Sequence, residues 1–150
     1  VSQALYLIGT SGLFRILQSE LRKAWSDQLV AGVIAICPAV ELEFLYSARS
    51  LADRLEKRQL THDLFSWVPM PERAYERAGE VQQMLTEAGM HRSAGPVDLL
   101  IAATAERERL TVLCDDRDYQ AIARVTGQPV KLVTDISDGK RPDTRDVHDG

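Results

Sequence analysis

Four carboxylates stand out among the 22 acidic residues because of where they fall. Asp98 interrupts the otherwise apolar stretch VDLLIAATA. Asp116 and Asp118 follow the apolar run Thr111–Cys114, and Glu43 lies between Leu42 and Phe44. Each has an ordinary structural explanation. Asp98 is third in a helix opened by Pro96, where an acid complements the helix dipole by ~0.3–1 kcal/mol. Asp116 and Asp118 suit a turn and an N-cap, and Glu43 suits a solvated helix edge. Glu41, two residues from Glu43, cannot share its helix face. Together the four fit one chemistry. Oxygen donors with no partnering His or Cys suit a hard cation, Mg²⁺ or Mn²⁺. Such a site activates water and neutralises charge on a phosphodiester. Without the cation, the clustered acids raise one another's pKa, a cost to the fold that function explains.

The elements that must position these acids read as short strands separated by helices. Residues 4–8 form an apolar β-type run ended by Gly9-Thr10-Ser11, a turn and helix-start signal. Leu13, Ile16, Leu17, Leu21 and Trp25 keep helical spacing to about residue 31, with a break near Ser19. Residues 33–36 form a second apolar run. Pro38 opens a helix through residue 49, and residues 50–65 form a charged amphipathic one. Residues 67–70 suit a brief strand. Residues 72–88 are helical and Gly89 stops them. After a polar loop over 91–95, Pro96 opens a helix apolar on most sides. A strand at Thr111–Cys114, a helix over 119–125 and a last strand over 130–133 complete the pattern. Residues 1–136 thus make one domain, and the polar stretch 137–150 is expected to be a mobile tail. This alternation predicts an α/β fold, with a short, mostly parallel central sheet flanked by helices on both faces. Ligands of such sheets bind at the carboxyl ends of the strands. That rule points to Gly9-Thr10-Ser11 and to Asp115-Asp116-Arg117-Asp118.

Bulk properties narrow the class. A chain of 150 residues suits one domain with a real core. The net charge of −4 argues against coating nucleic acid by bulk positive charge, though local basic clusters and a cation can hold phosphates on an acidic protein. Cys37 and Cys114 sit in apolar surroundings and read as buried reduced thiols, not a zinc site. The apolar stretch 29–40 contains Gly32 and Pro38 and is too short to span a bilayer. No signal peptide is visible, and a cytoplasmic protein without membrane contact is expected.

The stretches LIGTSGL, EFLYSAR, GPVDLLIAATA and LCDDRDYQAIA, in this order over residues 5–133, resemble PIN-domain ribonuclease toxins of the VapC type. The resemblance implies the PIN-like fold and endonucleolytic cleavage of RNA, often transfer or ribosomal RNA, with Mg²⁺ or Mn²⁺ as cofactor. It makes Asp98 and Asp116 metal ligands, with Glu43 and Asp118 binding the metal directly or through water and orienting the attacking hydroxide. Glu43 is preferred to Glu41 because it leads into the FLYSAR pattern. Asp115 falls one place early in the acidic loop and is left out. Ser11 matches the small hydroxyl residue that supports the site. The departure is Gly9, where the family pattern has an Asp, and a weakened or disarmed enzyme follows from that loss. Arg15, Arg92 and Arg117 are candidate RNA phosphate contacts. The implied partners are a VapB-type antitoxin that covers the acidic site, an RNA substrate and a second copy in a homodimer. Phe14, Trp25, Leu51, Leu55, Phe65 and Trp67 are apolar candidates for the antitoxin groove. The alternative is a non-catalytic protein of the same fold that binds antitoxin or RNA. A receiver-like domain fits less well, because Lys131 has no matching acceptor strand.

Overall fold

The computed structural model describes residues 3–136, so the stretch expected to be a tail, 137–150, lies outside the described residues. Five short apolar runs become strands: β1 (Tyr6–Ile8), β2 (Ile34–Ile36), β3 (Ser66–Trp67), β4 (Thr111–Cys114) and β5 (Val130–Leu132). They pair in the order β3-β2-β1-β4-β5, and every pairing is parallel. Unbroken apolar runs such as Ile34-Ala35-Ile36, buried at all positions, are what a parallel strand covered on both faces requires. Strand β1 is central, with Tyr6 opposite both Ile34 and Thr111 and Ile8 opposite Leu113. The chain order reverses direction between β1 and β4, so their carboxyl ends form the switch point where such sheets bind ligands.

Eight helices connect the strands among the described residues: α1 (Thr10–Ile16), α2 (Ser19–Ala24), α3 (Ser26–Val30), α4 (Pro38–Tyr46), α5 (Leu51–Leu64), α6 (Ala74–Glu87), α7 (Pro96–Glu108) and α8 (Asp118–Thr126). The first helical stretch differs from expectation, since it divides into three short helices. Gln18 leaves helical geometry (φ −69°, ψ 138°), which turns the chain before Ser19. Leu21, Trp25 and Leu29 still share one buried face, because their spacing of four survives the breaks. Trp25 is anchored by donating its Nε1–H to the Val133 carbonyl at 2.9 Å. Strand β3 begins one residue earlier than expected, with Phe65 turned into the core.

Helix α7 is the most buried, with Leu99 and Ile101 through Ala105 inside. It packs on α6, α8, β4 and β1. Helix α6 packs on it and buries Ala78, Val81 and Leu85, and Arg77 clasps Glu106 of α7 with Nε–Oε1 at 2.7 Å and Nη2–Oε2 at 3.2 Å. Helix α1 lies close against β4, because Gly12 presents no side chain there. A Cβ at that position would stand 2.6 Å from the Leu113 carbonyl oxygen. This contact sets the height of the β1–α1 turn over the end of β4.

Candidate functional site

The two loops singled out by the sheet rule meet. Gly9 ends β1 and donates its N–H to the Leu113 carbonyl at 2.8 Å, extending the β1–β4 pairing by one residue. Ser11, in the first turn of α1, accepts a hydrogen bond from the Asp115 N–H at 3.1 Å. The β1–α1 turn is thereby tied to the β4–α8 loop. Within that loop, Asp116 Oδ1 accepts from the Asp118 N–H at 3.1 Å, an Asx turn just before α8, whose N-cap is Arg117. Asp98, third in α7, accepts the Gly95 N–H on Oδ2 at 3.2 Å. Both acids therefore play the local structural roles that their positions allow, and each uses one carboxylate oxygen for it.

Electrostatics show which acids share space. Burial pushes the Asp98 carboxyl above the ordinary carboxylate range. The Gly95 N–H and the Tyr119 hydroxyl work against that rise, and Asp118 and Asp116 add to it. Asp118 is raised as well, by partial burial first and then by Asp116. Asp98, Asp116 and Asp118 thus form one like-charged group with no cationic side chain among the causes of either shift. Glu43 stands apart. It is exposed on α4 and its Oε1 accepts the Thr10 hydroxyl at 2.6 Å. The neighbour it perturbs is the Cys37 thiol, which burial chiefly raises.

Asp98, Asp116 and Asp118 are therefore near enough to perturb one another, and Glu43 is held by the residue next to Gly9. Among the described residues, no three His, Cys, Asp or Glu side chains converge closely enough to hold a metal ion as they stand. The donors suit a hard divalent cation in type, but too few are gathered. Gly9 sits at the joint: its neighbour Thr10 holds Glu43, while the space beside its Cα faces Tyr119, which in turn interacts with Asp98.

The basic candidates divide. Arg15 reaches the same edge, with Nε 3.9 Å from Asp115 Oδ1. Arg92 and Arg117 are exposed, and neither side chain makes an ion pair among the described residues. Of the apolar groove candidates, Phe14, Leu51, Leu55 and Trp67 are exposed, whereas Trp25 and Phe65 are core residues and cannot line a groove. Two residues of the site escape a reading of the sequence. Thr10 is visible there only as part of a turn. Tyr119 looks like the first core residue of a helix, and only its polar tip on a buried body hints at more.

A family model described as the PIN domain matches residues 6–125, and the chain belongs to that family. Its relatives place it in the VapC branch. It is 36% identical over 128 residues to Ribonuclease VapC21 of Mycobacterium tuberculosis, a match covering 85% of this chain and 93% of the relative. It is 37% identical over 132 residues to Ribonuclease VapC2 of the same organism, covering 86% and 92%. In fold it resembles the DNA-bound VapBC of Salmonella typhimurium, with a TM-score of 0.70 at 18% identity over 87% of this chain and 99% of that one. The VapBC2 structure from Rickettsia felis gives 0.69 at 18% identity over 85% and 97%. No helix among the described residues is long and apolar enough to cross a membrane.

Proposed function

We propose that this chain is the toxin of a toxin–antitoxin pair, a metal-dependent endoribonuclease of RNA of the tRNA or rRNA class, weakened by Gly9. The observation that carries the reading is the like-charged group of Asp98, Asp116 and Asp118 at the switch point of the sheet, in a chain similar over most of its length to VapC ribonucleases. Asp98 and Asp116 would be the residues to hold Mg²⁺ or Mn²⁺, and Asp118 and Glu43 would reach it directly or through water. The chemistry such a cation supplies is activation of water and neutralisation of phosphodiester charge. Asp118 and Glu43 orient the attacking water. Ser11 holds the acidic loop in place through Asp115. Arg15, Arg92 and Arg117 contact RNA phosphates, which an acidic protein needs at its site. Phe14, Leu51, Leu55 and Trp67 offer exposed apolar surface for a VapB-type antitoxin, the class of partner present in the VapBC complexes of similar fold. A homodimer completes the assembly.

The failure of three donors to converge favours a second reading, a protein of the same fold that binds antitoxin or RNA without cutting. Cleavage of a structured RNA pool with Mn²⁺, with EDTA and with Asp98→Asn decides between them. Slow Mn²⁺-dependent cleavage that Asp98→Asn abolishes supports the enzyme. Equal, metal-independent traces in both proteins support the binding protein.

A further inference from the structure

Position 9 is closed by a single side chain. The backbone at Gly9 is extended, with φ −81° and ψ 168°, a conformation open to any L-residue. Nothing in the main chain calls for glycine there. Yet the three atoms nearest to where a Cβ would stand all belong to Tyr119: its hydroxyl oxygen at 3.0 Å, and Cε2 and Cζ at 3.3 Å. Tyr119 is 1% exposed, so its ring cannot swing aside into solvent. Its hydroxyl is buried and makes no hydrogen bond of ordinary geometry, although Asp98 lies near enough for each group to perturb the other. Buried phenols normally find a partner. This one faces the Asp98 carboxyl, with which it interacts, and the space beside Gly9.

We propose that Gly9 and Tyr119 are one coupled feature of the acidic edge, with Tyr119 a positioning residue whose phenol crowds the start of any residue-9 side chain and faces Asp98. The inference rests on the reading above only in what it says of the cation. A side chain introduced at residue 9 alone meets the Tyr119 hydroxyl, which must give by a few tenths of an ångström before it is seated. Removing that hydroxyl leaves the two 3.3 Å ring contacts, which shifts of a few tenths of an ångström relieve. A carboxylate at residue 9 is therefore seated with less displacement when Tyr119 changes with it.

The test is a double-mutant cycle of the full chain: the parent, Gly9→Asp, Tyr119→Phe and the pair, with Gly9→Ala alone and paired as the smaller probe should the aspartate variant not fold. Tm is measured in EDTA, and Mn²⁺ binding by titration calorimetry. The expected result is that Gly9→Ala and Gly9→Asp lower Tm by several degrees in the parent and by much less with Tyr119→Phe. Mn²⁺ affinity should then be about tenfold higher in the Gly9→Asp/Tyr119→Phe pair than in Gly9→Asp alone, a coupling of the size that contacting residues show. Equal losses of Tm in both backgrounds overturn the proposal, as does a full gain in Mn²⁺ affinity from Gly9→Asp by itself. Should no variant bind Mn²⁺ while the loss of Tm still depends on Tyr119, the coupled pair stands and the cation reading is what fails.

Discussion

The same substitution, glycine to alanine, should have opposite effects in two helices of this protein. At Gly12 in α1, a Cβ would stand 2.6 Å from the Leu113 carbonyl oxygen and 3.0 Å from the Cys114 Cα. Both atoms are main chain of a buried strand, so neither can rotate away. Overpacking of this kind costs about 1–3 kcal/mol, and a backbone obstacle puts Gly12 at the upper end. Against that stands the helix-propensity gain of up to ~1 kcal/mol. The net loss is about 2 kcal/mol, or roughly 4–8 °C in Tm for a chain of this size. At Gly79 in α6, nothing lies within 4 Å of the same added carbon. The propensity term then acts alone, and Gly79→Ala should stabilise by about 0.5–1 kcal/mol.

Urea melts of the two variants give both numbers with one reference. Gly12→Ala should also reduce cleavage, because α1 carries Ser11, whose hydroxyl holds Asp115, and Thr10, whose hydroxyl holds Glu43. Gly12→Ala proving as stable as Gly79→Ala would refute the reasoning, since it would mean that α1 does not depend on close approach to β4.

Asp98→Asn should stabilise the EDTA-treated protein at neutral pH. The folded carboxyl is raised chiefly by burial, so its contribution to stability is lost as pH rises from about 4 through the folded pKa. The Tm difference between variant and parent should accordingly be near zero at pH 3 and grow toward pH 7, and a flat difference would contradict it. Arg77→Ala removes a two-pronged contact to Glu106 and one to Glu80. Because both side chains of the Arg77–Glu106 pair are about a third exposed, solvent screening limits the loss to ~1 kcal/mol, and added salt should shrink it in paired melts. Cys37 and Cys114 are buried, with the Cys114 thiol pushed up to about 12 by that burial. Neither should react with a thiol reagent at pH 8 until the chain unfolds, so modification should track the unfolding rate.

The alternation of short apolar runs with helical periods made the parallel sheet legible, because strands covered on both faces must be apolar throughout. Asp116 and Asp118 stood out for a related reason, since the switch-point rule names their loop, whereas Asp98 stood out as a lone acid in an apolar helix start. The division of the first helical stretch was only partly visible, since Leu21, Trp25 and Leu29 preserve helical spacing across the breaks. Trp25 and Phe65 illustrate a different limit. An apolar residue on an amphipathic helix or beside a strand reads alike whether it lines a groove or the core, and only the packing shows both buried. Tyr119 was illegible because its importance lies in an approach to Gly9 across 110 positions of sequence.

The structural and chemical readings of the acids are not alternatives. Asp98 offers one oxygen to the Gly95 N–H and Asp116 one to the Asp118 N–H. In each, a hydrogen bond from the main chain at or just before a helix start also fixes the carboxylate and engages one of its two oxygens. That is how a fold preorganises charge before any ligand arrives, and why each position, taken singly, supports an ordinary structural role equally well. Glu43 obeys a different constraint. It lies on an exposed helix edge, and the hydrogen bond that ties it to the site comes from Thr10. The acids therefore fall into two parts, with Gly9 next to Thr10, which holds Glu43, and beside Tyr119, which interacts with Asp98. The Tyr119 hydroxyl stands 3.0 Å from where a Cβ at residue 9 would lie, so any side chain there would have to displace it.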